Sequence, residues 1–269
     1  MTTRTLTTLN GTELAYVVEG RPNAPWLTLS HSLASDLTMW DAQVAALAQD
    51  FRILRYDHRG HGQSRVPVTG GGCTFAQLTA DVVALWDHLG IARSHFVGLS
   101  MGGMIGQYLA LDYPQRLDKL VLCSTSSGYG GNRDAVAKLW EQRIAQASQE
   151  GMQAMVEGTL GRWFTEPYRL EARDEMARIG NLIAATPLAG YAACGRMIAT
   201  MDTAARLPAI TTPTLVLVGD EDAGTPPAMA EAIAAAIPGS RLEVLPQASH
   251  LLNIEQAELF NALLMAFLG

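Results

Sequence analysis

A serine at position 100 stands where a protein could use it as a nucleophile. The motif Gly98-x-Ser100-x-Gly102 joins a short run of β-branched and aromatic residues to a longer run with helical periodicity, which predicts a strand, a sharp turn and a helix. Glycine suits both flanking positions, because residues without a Cβ atom let strand and helix approach each other. We therefore expect an exposed Ser100 hydroxyl beside the unpaired backbone N–H of Met101 at the start of the helix.

A serine hydroxyl is a poor nucleophile on its own, so a base and a group that orients the base should occur elsewhere in the chain. His250 is the candidate base, because it follows a predicted strand in a loop that could carry the imidazole to Ser100. The acid is one of three neighbours, Asp220, Glu221 or Asp222. We favour Asp222, since two further residues beyond the strand give it the reach to turn back toward the imidazole. Asp220 stays as the alternative.

Other ionisable residues are interpreted as structural. Asp57 is expected to organise the polar loop Arg59-Gly60-His61-Gly62 that follows it. The remaining histidines are expected to pack or to form structural hydrogen bonds: His31, His58, His61, His88 and His95. No grouping of His, Cys or carboxylates has the spacing of a metal site, so the sequence predicts neither a metal nor a cofactor.

The composition limits the partners of this chain. Its 269 residues are 48% hydrophobic and 17% charged, with a net charge of −7. These values are typical of a soluble globular protein, and the negative charge argues against a nucleic-acid partner or an anionic membrane surface. Cys73, Cys123 and Cys194 are scattered and odd in number, which indicates packing residues in a reducing compartment. Because the chain shows neither an export signal nor a membrane-spanning apolar run, we expect a cytoplasmic location.

Strand-like and helix-like runs alternate along most of the chain. Two alternating runs, 5–9 and 12–19, are joined by Asn10-Gly11 and predict an antiparallel hairpin. Six further strands are predicted over residues 26–30, 51–56, 94–99, 119–123, 214–218 and 241–245, with helices over residues 37–49, 75–89, 228–237 and 254–268. This alternation indicates a mostly parallel eight-stranded sheet with helices on both faces. Ligands bind at the carboxyl ends of such strands, where Leu33, Asp57, Ser100 and Ser124 are expected.

The alternation stops between residues 127 and 201. No strand-like run occurs there, and the stretch is divided into about four predicted helices by Gly151, Gly161, Pro167, Pro187 and Gly195. We therefore predict an α-helical cap, or lid, that is inserted after the sixth strand and covers the carboxyl edge of the sheet. The core would then consist of residues 1–126 and 202–269, and the cap of residues 127–201.

In its motifs and their order the chain resembles the α/β-hydrolase superfamily, in which nucleophile, acid and histidine follow one another in this way. Within that superfamily it is most similar to the 3-oxoadipate enol-lactonases and their close relatives. The segments that carry the resemblance are Gly98-Leu99-Ser100-Met101-Gly102, Asp57-x-Arg59-Gly60-His61-Gly62, Gly219-x-x-Asp222-x-x-Thr225-Pro226 and residues 29–33, 36–41, 52–57, 139–144 and 161–165. Two positions depart from the family pattern: relatives more often have a small or uncharged residue at His58, and many hydrolases have glycine at Ser32.

The resemblance implies a serine hydrolase that cleaves a small lactone or ester. The implied substrate is 3-oxoadipate enol-lactone, in the catabolism of aromatic acids, and the implied catalytic residues are Ser100, Asp222 and His250. The backbone N–H groups of Leu33 and Met101 would hold the oxyanion of the tetrahedral intermediate. The partner would be a small molecule, and no cofactor is required.

The implied substrate also carries a free carboxylate. Trp140 and Arg143 lie three residues apart on the first cap helix and share a face, so a guanidinium beside an indole could bind a carboxylate and a flat ring. The alternative is that Trp140 packs inward and Arg143 is solvated. Arg162 and Trp163 form a second, weaker candidate set, because adjacent residues on a helix point in different directions.

Two other functions stay open. A carboxylesterase or lactonase of broader specificity, or a perhydrolase, would use the same fold and the same catalytic residues. A ligand receptor built on a hydrolase scaffold would need none of them, and the intact set Ser100, Asp222 and His250 argues against it. Haloalkane dehalogenase chemistry is disfavoured, because the turn presents a serine and not a carboxylate.

Overall fold

The computed structural model describes residues 3–65 and 73–269, and its centre is a sheet of eight strands within those residues. The strands are β1 (Thr5–Leu9), β2 (Thr12–Gly20), β3 (Trp26–Ser30), β4 (Arg52–Tyr56), β5 (Ser94–Leu99), β6 (Leu117–Cys123), β7 (Thr214–Gly219) and β8 (Arg241–Leu245). They lie in the order β1-β2-β4-β3-β5-β6-β7-β8. Strand β2 pairs antiparallel with β1 and β4, and the other neighbouring strands pair in parallel. The predicted mostly parallel sheet with an N-terminal antiparallel hairpin is confirmed.

Strand β5, which leads to Ser100, lies in the interior of the sheet. It pairs in parallel with β3 on one side and with β6 on the other, and all of its residues are buried. Because parallel strands end at the same edge of a sheet, the loops after β3, β5, β7 and β8 meet at one edge. Those loops carry Leu33, Ser100, Asp222 and His250, respectively.

Helices connect the strands. They are α1 (Asp41–Leu47), α2 (Phe75–His88), α3 (Met101–Asp112), α4 (Arg133–Glu150), α5 (Val156–Trp163), α6 (Glu166–Glu171), α7 (Arg173–Ala185), α8 (Leu188–Ile198), α9 (Pro227–Ala236), α10 (Leu252–Glu255) and α11 (Ala257–Leu268). Helix α2 begins at a capping box formed by Thr74 and Gln77. Among the described residues, no helix has both the length and the apolar character needed to cross a membrane.

Two predicted helices differ from the structure. The one expected over residues 37–49 begins as a 3₁₀ turn, Leu37–Trp40, because the Asp36 side chain accepts a hydrogen bond from the Thr38 N–H at 2.8 Å and tightens the first turn. The last helix, expected over 254–268, is interrupted at Gln256, whose backbone angles of −120° and 49° are not helical. The interruption allows Glu255 to stay buried while α11 packs Phe260, Leu264 and Leu268 into the core.

Residues 127–201, here called the cap segment, lie between β6 and the helical turn before β7. They contain α4 to α8, one α-helix more than the sequence predicts. The two ends of the segment meet, since Gly128 and Asp202 form a β-bridge and the Thr203 N–H donates to the Ser127 carbonyl at 2.8 Å. This closed base agrees with an insertion after the sixth strand, while the division into a separate core and cap stays a prediction.

The cap segment contacts the core closely at α8. A Cβ atom at Gly190 would collide with the carbonyl oxygen of Gly60, so α8 packs directly against the loop after β4. Nearby, the sulfur atoms of Cys73 and Cys194 lie 3.7 Å apart, and both are free thiols. Glycine at position 190 therefore sets the distance between cap segment and core.

Candidate active site

Ser100 sits on a strained bend between β5 and α3. Its φ of 56° lies in the left-handed region that non-glycine residues rarely adopt. A Cβ atom at Gly98 would collide with the carbonyl oxygen of Gly102, and one at Gly102 would collide with the Ser30 carbonyl on β3. The bend is also anchored to β6, because the Ser100 N–H donates to the Cys123 carbonyl at 2.9 Å. The two glycines thus permit the close approach that exposes the serine side chain.

His250 is hydrogen-bonded to Asp222. Nδ1 of the imidazole lies 2.9 Å from Oδ2 of Asp222, and both side chains are buried. The Thr225 hydroxyl donates to the same Oδ2 at 2.7 Å, while the backbone N–H groups of Gly224 and Thr225 donate to Oδ1 at 2.8 and 2.9 Å. Because the carboxylate accepts the Nδ1 proton, Nε2 is left free to act as a base.

The surroundings of Asp222 keep it ionised. Burial alone would raise the pKa of its carboxyl, but the neighbouring His250 and the hydrogen bonds from Thr225 outweigh burial and lower this pKa to about 2. Asp220, the alternative acid, accepts a hydrogen bond from the Ala248 N–H at 3.2 Å. The geometry therefore favours Asp222 as the partner of His250.

Ser100 and His250 line the same cavity, which has a volume of about 290 Å³. Ser32 and Leu33, from the loop after β3, line it as well. Met101 follows Ser100 and opens α3, so its N–H has no acceptor within the helix. The cavity thus brings together the predicted nucleophile, the predicted base and the loop expected to supply one of the two oxyanion-binding N–H groups.

The buried side chains of His31 and His58 form hydrogen bonds within and next to the loop after β3. Nδ1 of His31 lies 2.6 Å from the Ser32 carbonyl and Nε2 accepts from the His58 N–H at 2.9 Å, so both ring nitrogens of His31 are used. Nε2 of His58 lies 3.0 Å from the His31 carbonyl. Burial lowers the pKa of both imidazoles well below the usual range, and the adjacent histidines lower it further. His58, one of the two residues that depart from the family pattern, therefore supports the loop from inside the protein.

Asp57 holds the two segments that surround these histidines. Oδ1 accepts from the Leu37 N–H at 2.9 Å, and Oδ2 accepts from the Gln63 N–H at the same distance. Burial raises the pKa of this carboxyl to about 6, although the guanidinium of Arg4, 3.0 Å away, acts in the opposite direction. Asp57 has the loop-organising contacts expected from the sequence.

The cap segment supplies the opposite wall of the cavity. The Arg143 guanidinium lies 5.1 Å from the centre of the Trp140 ring, and both side chains line the cavity. Arg162 and Trp163, the last two residues of α5, line it too. Although adjacent side chains on a helix point in different directions, both of these reach the cavity wall.

The cavity wall is positively charged. Among the residues that the structure describes, no carboxylate lines the cavity, whereas two arginines, Arg143 and Arg162, do. Burial lowers the pKa of the Arg162 guanidinium, and the nearby Arg143 lowers it further. Two aromatic lining residues, Tyr129 and Tyr191, were not identified from the sequence, because single tyrosines in predicted loops and helices form no recognisable pattern.

The fold and this arrangement define an α/β hydrolase. The sequence matches the α/β-hydrolase-fold family over residues 25–257, and the chain belongs to that family. It is 34% identical over 248 residues to 3-oxoadipate enol-lactonase 2 of Acinetobacter baylyi, covering 92% of this chain and 90% of that one. It is 30% identical over 262 residues to RutD of Agrobacterium fabrum, a candidate carbamate hydrolase, covering 94% of this chain and 97% of that one.

Among solved structures, the enol-lactonase of Burkholderia xenovorans superposes on this chain with a TM-score of 0.92. The two share 41% sequence identity, and the match covers 98% of this chain and 99% of the other. The resemblance to enol-lactonases that the sequence motifs indicate is therefore confirmed over nearly the whole chain.

Proposed function

We propose that the protein is a serine hydrolase that opens a small lactone carrying a free carboxylate, with 3-oxoadipate enol-lactone as the favoured substrate. One observation carries this proposal. A single cavity has Ser100 and His250 in one wall and two arginines, with no carboxylate among the described lining residues, in another. In a chain of net charge −7, such a positive cavity suits an anionic substrate.

The proposed reaction proceeds through an acyl-enzyme. Nε2 of His250 takes the proton of the Ser100 hydroxyl as its oxygen attacks the lactone carbonyl carbon. The N–H groups of Leu33 and Met101 stabilise the oxyanion, and loss of one such donor typically raises the barrier by about 3 kcal/mol. The ring C–O bond breaks, the proton held on Nε2 of His250 passes to the leaving enolate oxygen, and the resulting enol tautomerises to a ketone.

Water then completes the cycle. His250 accepts a proton from the water molecule that attacks the ester carbonyl, and the Ser100 oxygen leaves with that proton. Asp222 stabilises the imidazolium in both steps, because its low pKa keeps it ionised. The product is an open-chain keto acid with two carboxylates.

Recognition of the substrate's own carboxylate is assigned to Arg143 and Arg162. The planar guanidinium of Arg143 is held against the Trp140 ring, and Nη2 of Arg162 donates to the Thr159 hydroxyl at 3.1 Å. Both contacts restrict the side chains before substrate binds, which reduces the entropy lost on binding. The indole and Tyr191 supply apolar surface for a flat lactone ring.

Carbamate hydrolysis is the second candidate, because RutD matches this chain over almost its full length. The same serine and histidine could attack a carbamate carbonyl. An uncharged carbamate ester would leave the two cavity arginines without a counter-charge, whereas a carbamate anion would not, so the charge of the cavity favours the lactone over carbamate esters only.

Rates measured side by side test the proposal. We expect kcat/KM for the carboxylated enol-lactone to exceed that for a neutral short-chain ester and for a small carbamate by at least about tenfold, the effect of a 1.4 kcal/mol difference in transition-state binding. Faster turnover of the neutral ester would contradict the lactone assignment and favour a broad esterase. Faster turnover of the carbamate would favour the second candidate. If wild-type protein hydrolysed none of the three and a fluorophosphonate failed to label Ser100, the receptor alternative would replace both.

A further inference from the structure

The loop that carries His250 is hydrogen-bonded to the cap segment. The Leu251 N–H donates to the Trp163 carbonyl at 3.0 Å, and the Ser249 hydroxyl lies 3.2 Å from the Arg162 carbonyl. These donors flank His250 on both sides in the sequence. The position of the histidine loop therefore depends on the end of helix α5 as well as on the loop after β7.

Glu255 joins the two sides of this contact. Its Oε2 atom accepts a hydrogen bond from the Ser249 N–H at 2.8 Å. Its Oε1 atom accepts from the Thr165 N–H at 2.9 Å and from the Thr165 hydroxyl. Because Glu255 is only 9% exposed, these donors replace the water that would otherwise solvate the carboxylate. One buried side chain thus bridges the histidine loop and the cap segment.

The cap residues in this contact also face the cavity. Arg162 and Trp163 line it with their side chains while their carbonyl groups hold the histidine loop. The Trp163 ring stacks near the His250 imidazole, with centroids 6.4 Å apart and planes inclined by 25°. Residues 162–165, here called the coupling segment, therefore line the cavity at Arg162 and Trp163 and also hold the loop of the proposed base.

We propose that Glu255 is a positioning residue for His250, whose carboxylate fixes the histidine loop to the coupling segment so that the base stands over Ser100 only while the cap segment is docked. This inference rests on the proposed function, in which His250 is the base. Glu255 acts through the Ser249 N–H and does not line the cavity. A misplacement of the base by about 1 Å is enough to lower a rate by about 100-fold.

The rate at which a fluorophosphonate labels Ser100 tests the proposal. The reagent reacts when the serine oxygen attacks phosphorus and expels fluoride, with His250 taking the proton, and it needs no carboxylate recognition. We expect Glu255→Gln to be labelled about 10 to 100 times more slowly, because the amide keeps the size of the side chain but offers a donor to one of the two facing N–H groups. Thr165→Val should be slowed less, and the double variant should be no slower than Glu255→Gln alone, because both changes break one contact.

Three further variants separate positioning from stability. Thr186→Val removes a cap hydroxyl that donates only to the Leu182 carbonyl, at 2.9 Å, and Glu258→Gln changes an exposed residue of α11, so both should be labelled at the wild-type rate. Leu264→Ala lowers the melting temperature through the core of α11. The proposal would be overturned if Glu255→Gln and Thr165→Val were both labelled at rates within twofold of wild type. It would also be overturned if Glu255→Gln and Leu264→Ala lost equally in melting temperature and Glu255→Gln were slowed no more than Leu264→Ala. Failure of wild-type protein to be labelled would instead refute the proposed function.

Discussion

The Asp222 carboxylate and the His250 imidazole form a direct hydrogen bond of 2.9 Å, although the two residues are separated by a strand and a helix. The carboxylate of Asp220, two residues before Asp222, instead accepts a hydrogen bond from the backbone N–H of Ala248. This difference assigns distinct roles to two neighbouring carboxylates. Only Asp222 can hold the imidazole in the tautomer that leaves Nε2 unprotonated.

Replacing each of these aspartates separately by asparagine should therefore lower kcat to very different extents. We expect Asp222→Asn to lower kcat for a chromogenic ester by about four orders of magnitude, because the amide favours the wrong imidazole tautomer. Asp220→Asn keeps an acceptor oxygen for the Ala248 N–H and should lose less than about tenfold. Steady-state kinetics of the two variants decide the point, and a larger loss in Asp220→Asn would move the acid to that position.

Removal of the cavity arginines should change substrate preference more than catalysis. Arg143→Gln and Arg162→Gln should each raise KM for a carboxylated lactone by about 10- to 100-fold, the equivalent of one or two charge-assisted hydrogen bonds, and change KM for a neutral ester by less than threefold. Arg196→Gln is the matched control, because Arg196 is exposed and pairs with Glu141 on the surface. Equal changes in KM for both substrates would argue against carboxylate recognition at these residues.

Buried histidines should make the fold sensitive to acid. Burial lowers the pKa values of His31, His58 and His61, the last to about 4, whereas imidazoles in the unfolded chain titrate near about 6.5. Their stabilising contribution is therefore complete above about pH 6.5 and is lost as the pH falls toward about 4, because the unfolded chain binds more protons. The raised pKa of Asp57 acts in the opposite direction, but one carboxyl does not offset three imidazoles.

Urea unfolding at pH 7.5, 6 and 5 measures this effect. The free energy of unfolding should decrease over that range, and the decrease should be smaller in His61→Gln, which removes one of the buried groups. His88→Gln should behave like wild type, because His88 is exposed. A free energy of unfolding that is constant or rises between pH 7.5 and 5 would contradict the lowering of these pKa values by burial.

Two glycines of the cap segment should respond in opposite ways to alanine. At Gly190 a Cβ atom collides with the Gly60 carbonyl, so Gly190→Ala should lower the free energy of unfolding by about 1–3 kcal/mol and push α8 away from the core. At Gly161, in α5, the nearest atom is the Arg169 Nη1 at 4.0 Å. Gly161→Ala should therefore raise stability by up to about 1 kcal/mol. Chemical denaturation of both variants provides the comparison, and similar changes would contradict the packing at Gly190.

The sheet, the bend at Ser100 and the helical stretch after β6 could be predicted because each depends on local sequence. Apolar alternation defined the strands, and the change of period around Gly98-x-Ser100-x-Gly102 located the bend. The same local reasoning brought Asp222 and His250 to one edge of the sheet, since both follow parallel strands.

The remaining features depend on contacts between distant parts of the chain. The interruption at Gln256 was not predicted, because periodicity continues through it and only contacts with Thr165 and Ser249 explain the buried Glu255. Arg162 and Trp163 were only the weaker candidate set in the sequence, and their shared position at the cavity depends on how the cap segment packs over the site. Neither feature has a signature within its own segment.

The hydrogen bonds between the coupling segment and the histidine loop have a consequence for protein engineering. A foreign cap grafted onto this scaffold would leave Ser100 in place, because Gly98, Gly102 and the neighbouring strands shape the bend without help from the graft. The same chimera would lack the acceptors now supplied by Arg162 and Trp163, and its imidazole would be loosely held. Designers of such hybrids should therefore keep residues 162–165 in the new cap as the partners of Glu255 in the scaffold.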